Sequence, residues 1–133
     1  MNPFDKLYSK KVLEHVRNPK NMGEIKNPDG VSTVGNSKCG DIMRLYIKVD
    51  GKKGKEIIKD IKFQTLGCGA AIATSSMITT LVKGKPLSQA GKISKQTIAD
   101  ALGGLPMIKM HCSVLADEAL KKAIQDYQSK SKK

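Results

Sequence analysis

The segment from Ile57 to Lys83 constrains this chain more than any other. Ile57 to Leu66 reads as a strand, Ala70 to Lys83 reads as a helix, and Gly67-Cys68-Gly69 is all that joins them. A cysteine at such a junction stands at a helix N-terminus, where free backbone N–H groups and the helix dipole favour its thiolate. Glycine on either side leaves room for an incoming ligand. The other two cysteines also have neighbours of ligand type: Cys39 precedes Gly40-Asp41, and Cys112 follows His111. Any one cysteine taken alone is more often a small buried apolar residue. Three in such company favour a shared metal or thiol site.

From Met43 the pattern alternates cleanly. Met43, Leu45, Ile47 and Val49 point one way, and Arg44, Tyr46 and Lys48 the other, as in a half-buried strand. Asp50-Gly51 opens a polar turn that runs through Lys55. The two strand-like runs therefore form an antiparallel hairpin with one wet face, the second strand carrying Ile57, Ile61 and Phe63 on one side. Antiparallel pairing brings the start of the first strand to the end of the second, so Cys39 and Cys68 are expected at the same end of the sheet.

Ahead of the hairpin, residues 4–17 place Tyr8, Val12 and Val16 at helical spacing, with Phe4 and Leu7 before them. Asp5 caps this helix and Asn18-Pro19 stops it, giving an N-terminal helical unit within residues 1–20. His15 beside this face reads as a packing residue. A turn-rich loop, residues 18–30, leads to a short strand from Val31 to Val34. After Cys68, the stretch from Ala70 to Val82 is apolar all round and should be buried, with Met77 as core filler. Gly84 and Pro86 end it. Ser94 caps a short helix to Leu102, and Leu105 to Met110 is extended. The last helix is expected after Cys112. Ser113 caps it, Asp117 and Glu118 lie near its start, and Leu120, Ala123, Ile124 and Tyr127 form its buried stripe. Residues 128–133, rich in lysine, are expected to fray.

A chain of 133 residues with 39% hydrophobic and 27% charged side chains suits one globular domain, residues 1–133. There is no apolar run near 18 residues, and the N-terminus carries no secretory or transit pattern. With an odd number of cysteines, the expected setting is the cytoplasm, with thiols reduced. The net charge of +12 raises the question of nucleic acid. The lysines are scattered, however, the only arginines are Arg17 and Arg44, and tryptophan is absent. Base readout and stacking lean on arginine and aromatics, so a solvated basic surface is the better reading.

The candidate ligands are Cys39, Cys68 and Cys112, with Asp41 and His111 competing for a fourth position. Zinc would take three thiolates and one of the other two tetrahedrally. An iron–sulfur cluster also wants four ligands, usually all cysteine. A carboxylate holds cluster iron less firmly than a thiolate, which suits delivery better than electron transfer. A thiol protease is disfavoured, because adjacency of His111 and Cys112 makes it awkward for their side chains to face each other.

Three separated stretches, Cys39-Gly40-Asp41, Gly67-Cys68-Gly69-Ala70-Ala71-Ile72-Ala73-Thr74-Ser75-Ser76 and Lys109-Met110-His111-Cys112-Ser113, resemble the IscU/NifU-type iron–sulfur cluster assembly scaffolds. The likeness runs from the Tyr8–Gly23 segment through the last helix. It implies an α+β fold of SufE/NifU type, a small antiparallel sheet of about three strands with helices packed on one face. It implies a scaffold, not a turnover enzyme. Such a scaffold takes sulfur from a cysteine desulfurase and iron from a donor, builds a labile 2Fe–2S cluster, and passes it to apo iron–sulfur proteins. Carried over by motif, Cys39, Cys68 and Cys112 are the thiolate ligands, with Cys112 the persulfide acceptor. Asp41 tunes lability and is a candidate fourth ligand beside His111. The spacing of 44 positions from Cys68 to Cys112 resembles the IscU type and lacks the SufU insertion. The runner-up is a zinc-bound sulfur acceptor on the same ligands, and zinc in the apo form is compatible with either reading. Leu105, Pro106 and Lys109 fall in the segment that a DnaK-type chaperone recognises in the family, although Met107 stands where the family has a second proline. A homodimer is left open.

Overall fold

Alternation along residues 42–49 produces the central strand of the sheet. The computed structural model describes residues 10–36, 41–52, 54–66, 69–103 and 110–131. In chain order these form helix α1 (Lys10–Arg17), strands β1 (Gly30–Asn36), β2 (Asp41–Asp50) and β3 (Ile57–Leu66), and helices α2 (Gly69–Val82), α3 (Leu87–Ala90), α4 (Lys95–Ala101) and α5 (Met110–Ser131). The sheet order is β1-β2-β3 and both pairs are antiparallel. Met43, Leu45 and Ile47 are buried, opposite Thr65, Phe63 and Ile61 of β3. The helices α2 and α5 cover this face, and their Ala73, Met77, Ile78, Leu120 and Ala123 join the sheet residues in one core. The hairpin and the α+β architecture are as the sequence predicts.

One strand face is corrected. The pairing register shifts between Lys48 and Val49, a bulge that changes which face the following side chains take. Ile58 is therefore fully buried with Ile61 and Phe63, while Ile57 is 37% exposed. Strict alternation cannot reveal a bulge, because the extra residue is defined by the partner strand.

Within α2 no residue is charged, and its hydroxyls are satisfied in place. Thr74 and Ser75 donate to the Ala71 carbonyl, and Thr79 and Thr80 to that of Ser76. Gly84, at φ +81, turns the chain out of the helix and donates its N–H to the Ile58 carbonyl at 2.7 Å. Ser94 caps α4 as expected, accepting the Thr97 N–H at 3.2 Å. The short helix α3, which follows Pro86, has no counterpart in the sequence reading.

The last helix is corrected at both ends. It begins at Met110, so His111, Cys112 and Ser113 belong to its first turn and Ser113 is not its cap. That first turn contains no acid, since Asp117 and Glu118 come later. Helix also continues through Gln128 to Ser131, where fraying was expected. Tertiary bonds tie this end down. Asp126 accepts the Val31 N–H at 2.9 Å and pairs with Lys130 at 3.0 Å, and Tyr127 donates to Glu56 at 2.8 Å. The Val31 N–H, and then Lys130, hold the Asp126 carboxyl below the usual carboxylate range.

Gly30 lies directly under α5. A Cβ there would collide with the Ala123 carbonyl oxygen and meet the Ile47 side chain at 3.0 Å. Gly30→Ala is expected to cost about 1–3 kcal/mol, the usual range for an overpacked site. A urea titration reads this as a lower midpoint at constant slope, and an unchanged midpoint contradicts it.

Candidate metal centre

Strand register gathers the motif-bearing segments at one end of the sheet. Asn36, at the end of β1, pairs with Asp41, the first residue of β2, and Ile42 pairs with Leu66, the last residue of β3. Cys39 falls between the first two in sequence and Cys68 two positions after the last, and both lie outside the described residues. So do Leu105, Pro106 and Lys109. The convergence expected of the two cysteines therefore holds for the residues that flank them. Gly69, which opens α2, follows Leu66 by three positions, a reach of at most roughly 11 Å.

The start of α5 reaches the same end. Its Ala123 carbonyl lies against Gly30, and its Ala119 carbonyl accepts from the Ser32 hydroxyl at 2.6 Å. Moving back along α5 thus means moving forward along β1. Seven more helical residues lead from Ala119 to Cys112, about 10 Å at 1.5 Å each. Four strand residues lead from Ser32 to Asn36, about 13 Å. The first turn of α5, with His111 and Cys112, is therefore level with Asn36 and Asp41.

Asp41, the N-terminus of α2 and the N-terminus of α5 consequently share one pole of the fold. Both helices point their positive ends there, a field that favours thiolate over thiol. Among the described residues no three His, Cys, Asp or Glu side chains gather. The backbone converges here from the residues that flank the Cys39 and Cys68 segments and from the first turn of α5.

At the same pole the open face of the sheet is partly apolar. Ile42 is 46% and Leu66 71% exposed, and the two are cross-strand partners. Beside them the Arg44 Nε–H donates to Thr33 Oγ1 at 3.1 Å, and the guanidinium lies 6.0 Å from the centre of the Tyr46 ring. Tyr46 in turn donates to Gln64 at 2.8 Å. The sequence reading overlooked Ile42 and Leu66. Extending the alternation by one residue, to Ile42 beside Arg44, was the available signal. His15 lies elsewhere, packed on α2 with Nδ1 2.6 Å from Ser76 Oγ, in keeping with the packing role read for it.

Residues 7–133 match the family model described as the NifU-like N terminal domain. Over 127 residues the chain is 56% identical to the iron-sulfur cluster assembly scaffold protein IscU 1 of Archaeoglobus fulgidus, covering 96% of this chain and 80% of that one. It is 51% identical over 126 residues to the IscU scaffold of Haemophilus influenzae, covering 92% and 97%. The crystal structure of a nitrogen-fixing NifU-like protein (N-terminal) from Brucella abortus superimposes with a TM-score of 0.69 at 21% identity, over 96% of this chain and 98% of the other, a likeness of fold. Motifs, topology and family match agree: the chain belongs to the NifU-like N-terminal domain family.

Proposed function

We propose that this protein is a scaffold on which a 2Fe–2S cluster is assembled from iron and desulfurase-derived sulfur, and from which it is handed to apo-proteins. The observation that carries the reading is the meeting of Asp41, the start of α2 and the start of α5 at one pole, in a chain whose relatives are named IscU scaffolds. Cluster iron is the cargo. Cys39, Cys68 and Cys112 hold it as thiolates, and Asp41 or His111 completes the set. The zinc-bound sulfur acceptor is not favoured by these relatives.

Sulfur arrives as the outer sulfur of a persulfide on a cysteine desulfurase. The Cys112 thiolate attacks that sulfur. A new S–S bond forms on Cys112, the donor's S–S bond breaks, and the donor's cysteine leaves as thiolate. The donor has to approach the pole where Ile42 and Leu66 present their apolar surface. An iron donor, apo-protein recipients and a DnaK-type chaperone acting at Leu105, Pro106 and Lys109 complete the proposed partners. The proposed compartment is the cytoplasm. Among the described residues no helix is long and apolar enough to cross a membrane.

Anaerobic reconstitution with ferrous iron, a desulfurase, cysteine and a dithiol reductant, which supplies the two electrons that turn each persulfide sulfur into sulfide, tests the reading. The expected product absorbs in the visible range and contains acid-labile sulfide. A colourless protein without sulfide overturns it. Asp41→Cys is expected to slow cluster transfer to an apo-acceptor by about tenfold or more, since a fourth thiolate grips iron more firmly than a carboxylate. Transfer at the unaltered rate would remove Asp41 from the ligand set and leave His111.

A further inference from the structure

The two outer edges of the sheet differ in how their main-chain groups are satisfied. β3 is closed from Ile58 to Phe63. The Ile58 N–H donates to the Lys85 carbonyl at 3.0 Å, and the Gly84 N–H donates to the Ile58 carbonyl at 2.7 Å. The Ile61 N–H turns to Asp60 Oδ1 at 2.9 Å. The Phe63 N–H donates to the Asn21 carbonyl at 3.0 Å, and the Gly23 N–H to the Phe63 carbonyl at 2.8 Å. On β1 such closure stops at Val31. Its N–H leaves the sheet for Asp126 Oδ2 at 2.9 Å, so Val31 does not donate to β2. Main-chain groups alternate between the two sides of a strand, and the β1–β2 pairing runs without a shift from Gly30 to Asn36. Thr33 and Gly35 therefore turn their N–H and C=O groups outward as well. Both residues are exposed, and among the described residues no main-chain partner meets these groups.

We propose, on the basis of the scaffold reading, that this open edge is where the apo-protein recipient docks, by adding a short extended segment to β1 as a further strand. Unpaired donors and acceptors spaced along a strand are matched by another extended main chain. The run from Gly30 to Asn36 contains no charge and no proline, the usual devices that keep a strand off an edge. Position gives the occupant. Gly35 lies opposite Ile42 and Asn36 opposite Asp41, so the open stretch runs toward the pole, while Asp126 shuts its far end. An added strand lies about 10 Å across the sheet from β2, two strand spacings, and its end comes level with Asp41. A recipient cysteine just beyond that end is thus brought to the cargo. Main-chain pairing reads little of the side chains, which suits a scaffold that serves apo-proteins of differing sequence. One side-chain rule remains. The Arg44 Nε–H donates to Thr33 Oγ1 at 3.1 Å, and its charge disfavours lysine or arginine opposite Thr33. A second β1 fits the edge less well. About a twofold axis through Thr33, Val31 would face Gly35 of the other copy, and Asp126 already holds the Val31 N–H on both.

Amide hydrogen exchange of the apo form, with and without an apo 2Fe–2S ferredoxin as recipient, is the first test and needs no cluster. The Thr33 and Gly35 amides are expected to slow several-fold when the ferredoxin is added. Transfer of preloaded cluster to the same ferredoxin, expressed per loaded cluster, is the second. Thr33→Pro removes an N–H that does not serve β2 and is expected to slow transfer about tenfold. Thr33→Val keeps that N–H and is expected to transfer at least fivefold faster than Thr33→Pro. A wild type that never loads cluster defeats the scaffold reading before transfer is measured, and slow transfer from a loaded variant bears on the edge alone. The proposal is overturned if ferredoxin leaves both amides unprotected, or if the proline and valine variants transfer alike. It is overturned equally if the two amides become protected with rising concentration of this protein alone, which would make a second copy the occupant. Should Thr33→Pro fail to fold, the exchange result on the unaltered protein decides.

Discussion

Replacing Cys39, Cys68 and Cys112 together by serine is expected to leave a folded protein that no longer accumulates cluster. Serine hydroxyls stay protonated at neutral pH and are hard donors, so three soft thiolates disappear at once. Changes one shell further from a metal already weaken binding 10–100-fold, so a loss of more than about a hundredfold is expected in iron and acid-labile sulfide per chain. Far-UV circular dichroism should be unchanged, because the sheet register and the α2 and α5 packing draw on core residues such as Leu45, Phe63 and Ile78. Cluster delivery at the normal rate by the triple variant would end the scaffold reading. The single change Cys112→Ser divides the roles further. With an active desulfurase it should no longer trap persulfide, and undiminished trapping would move the acceptor role to another cysteine.

The second large effect concerns stability. Phe63 is fully buried and pairs with Leu45 in the centre of the sheet, and its backbone holds Asn21 and Gly23 on the edge. Phe63→Ala removes the largest fully buried side chain among the described residues and is expected to cost about 3–5 kcal/mol. Against a typical total of about 5–15 kcal/mol that is a large fraction. For a chain of this size it corresponds to a fall in Tm of roughly 10–20 °C. A fall of only one or two degrees in calorimetry would mean that the core collapses around the gap. The bridge between Met22 and Phe63 should loosen in this variant too, because residues 21–23 are held on β3 through the Phe63 backbone.

Much of the candidate site was legible because its logic is local. The run from Ile57 to Leu66, the glycines around Cys68 and the apolar stretch after them dictate a strand entering a helix at a cysteine. Pairing across the Asp50–Lys55 turn then brings the start of β2 to the end of β3, and the observed register, with Ile42 opposite Leu66, agrees. Side-chain period and turn chemistry are properties of a few neighbouring residues, and these need no partner to be read. The fourth ligand was not legible, since Asp41 and His111 are both competent by chemistry.

What the sequence by itself determined was the three strands, the apolar helix after Cys68, the Ser94 cap, the antiparallel hairpin and the end of the sheet toward which the Cys39 and Cys68 segments run. What only the tertiary structure decided was how distant surfaces meet. The bulge that buries Ile58 in place of Ile57 is set by the partner strand. The extension of α5 to Ser131 depends on Val31 and Glu56, far away in the chain. The fit of Gly30 under Ala123 and the fastening of His15 to Ser76 belong to the same class. The physical reason is that backbone preferences act over one or two turns of chain. A hydrogen bond or a steric limit between residues 61 or 93 positions apart exists only once packing has brought them together.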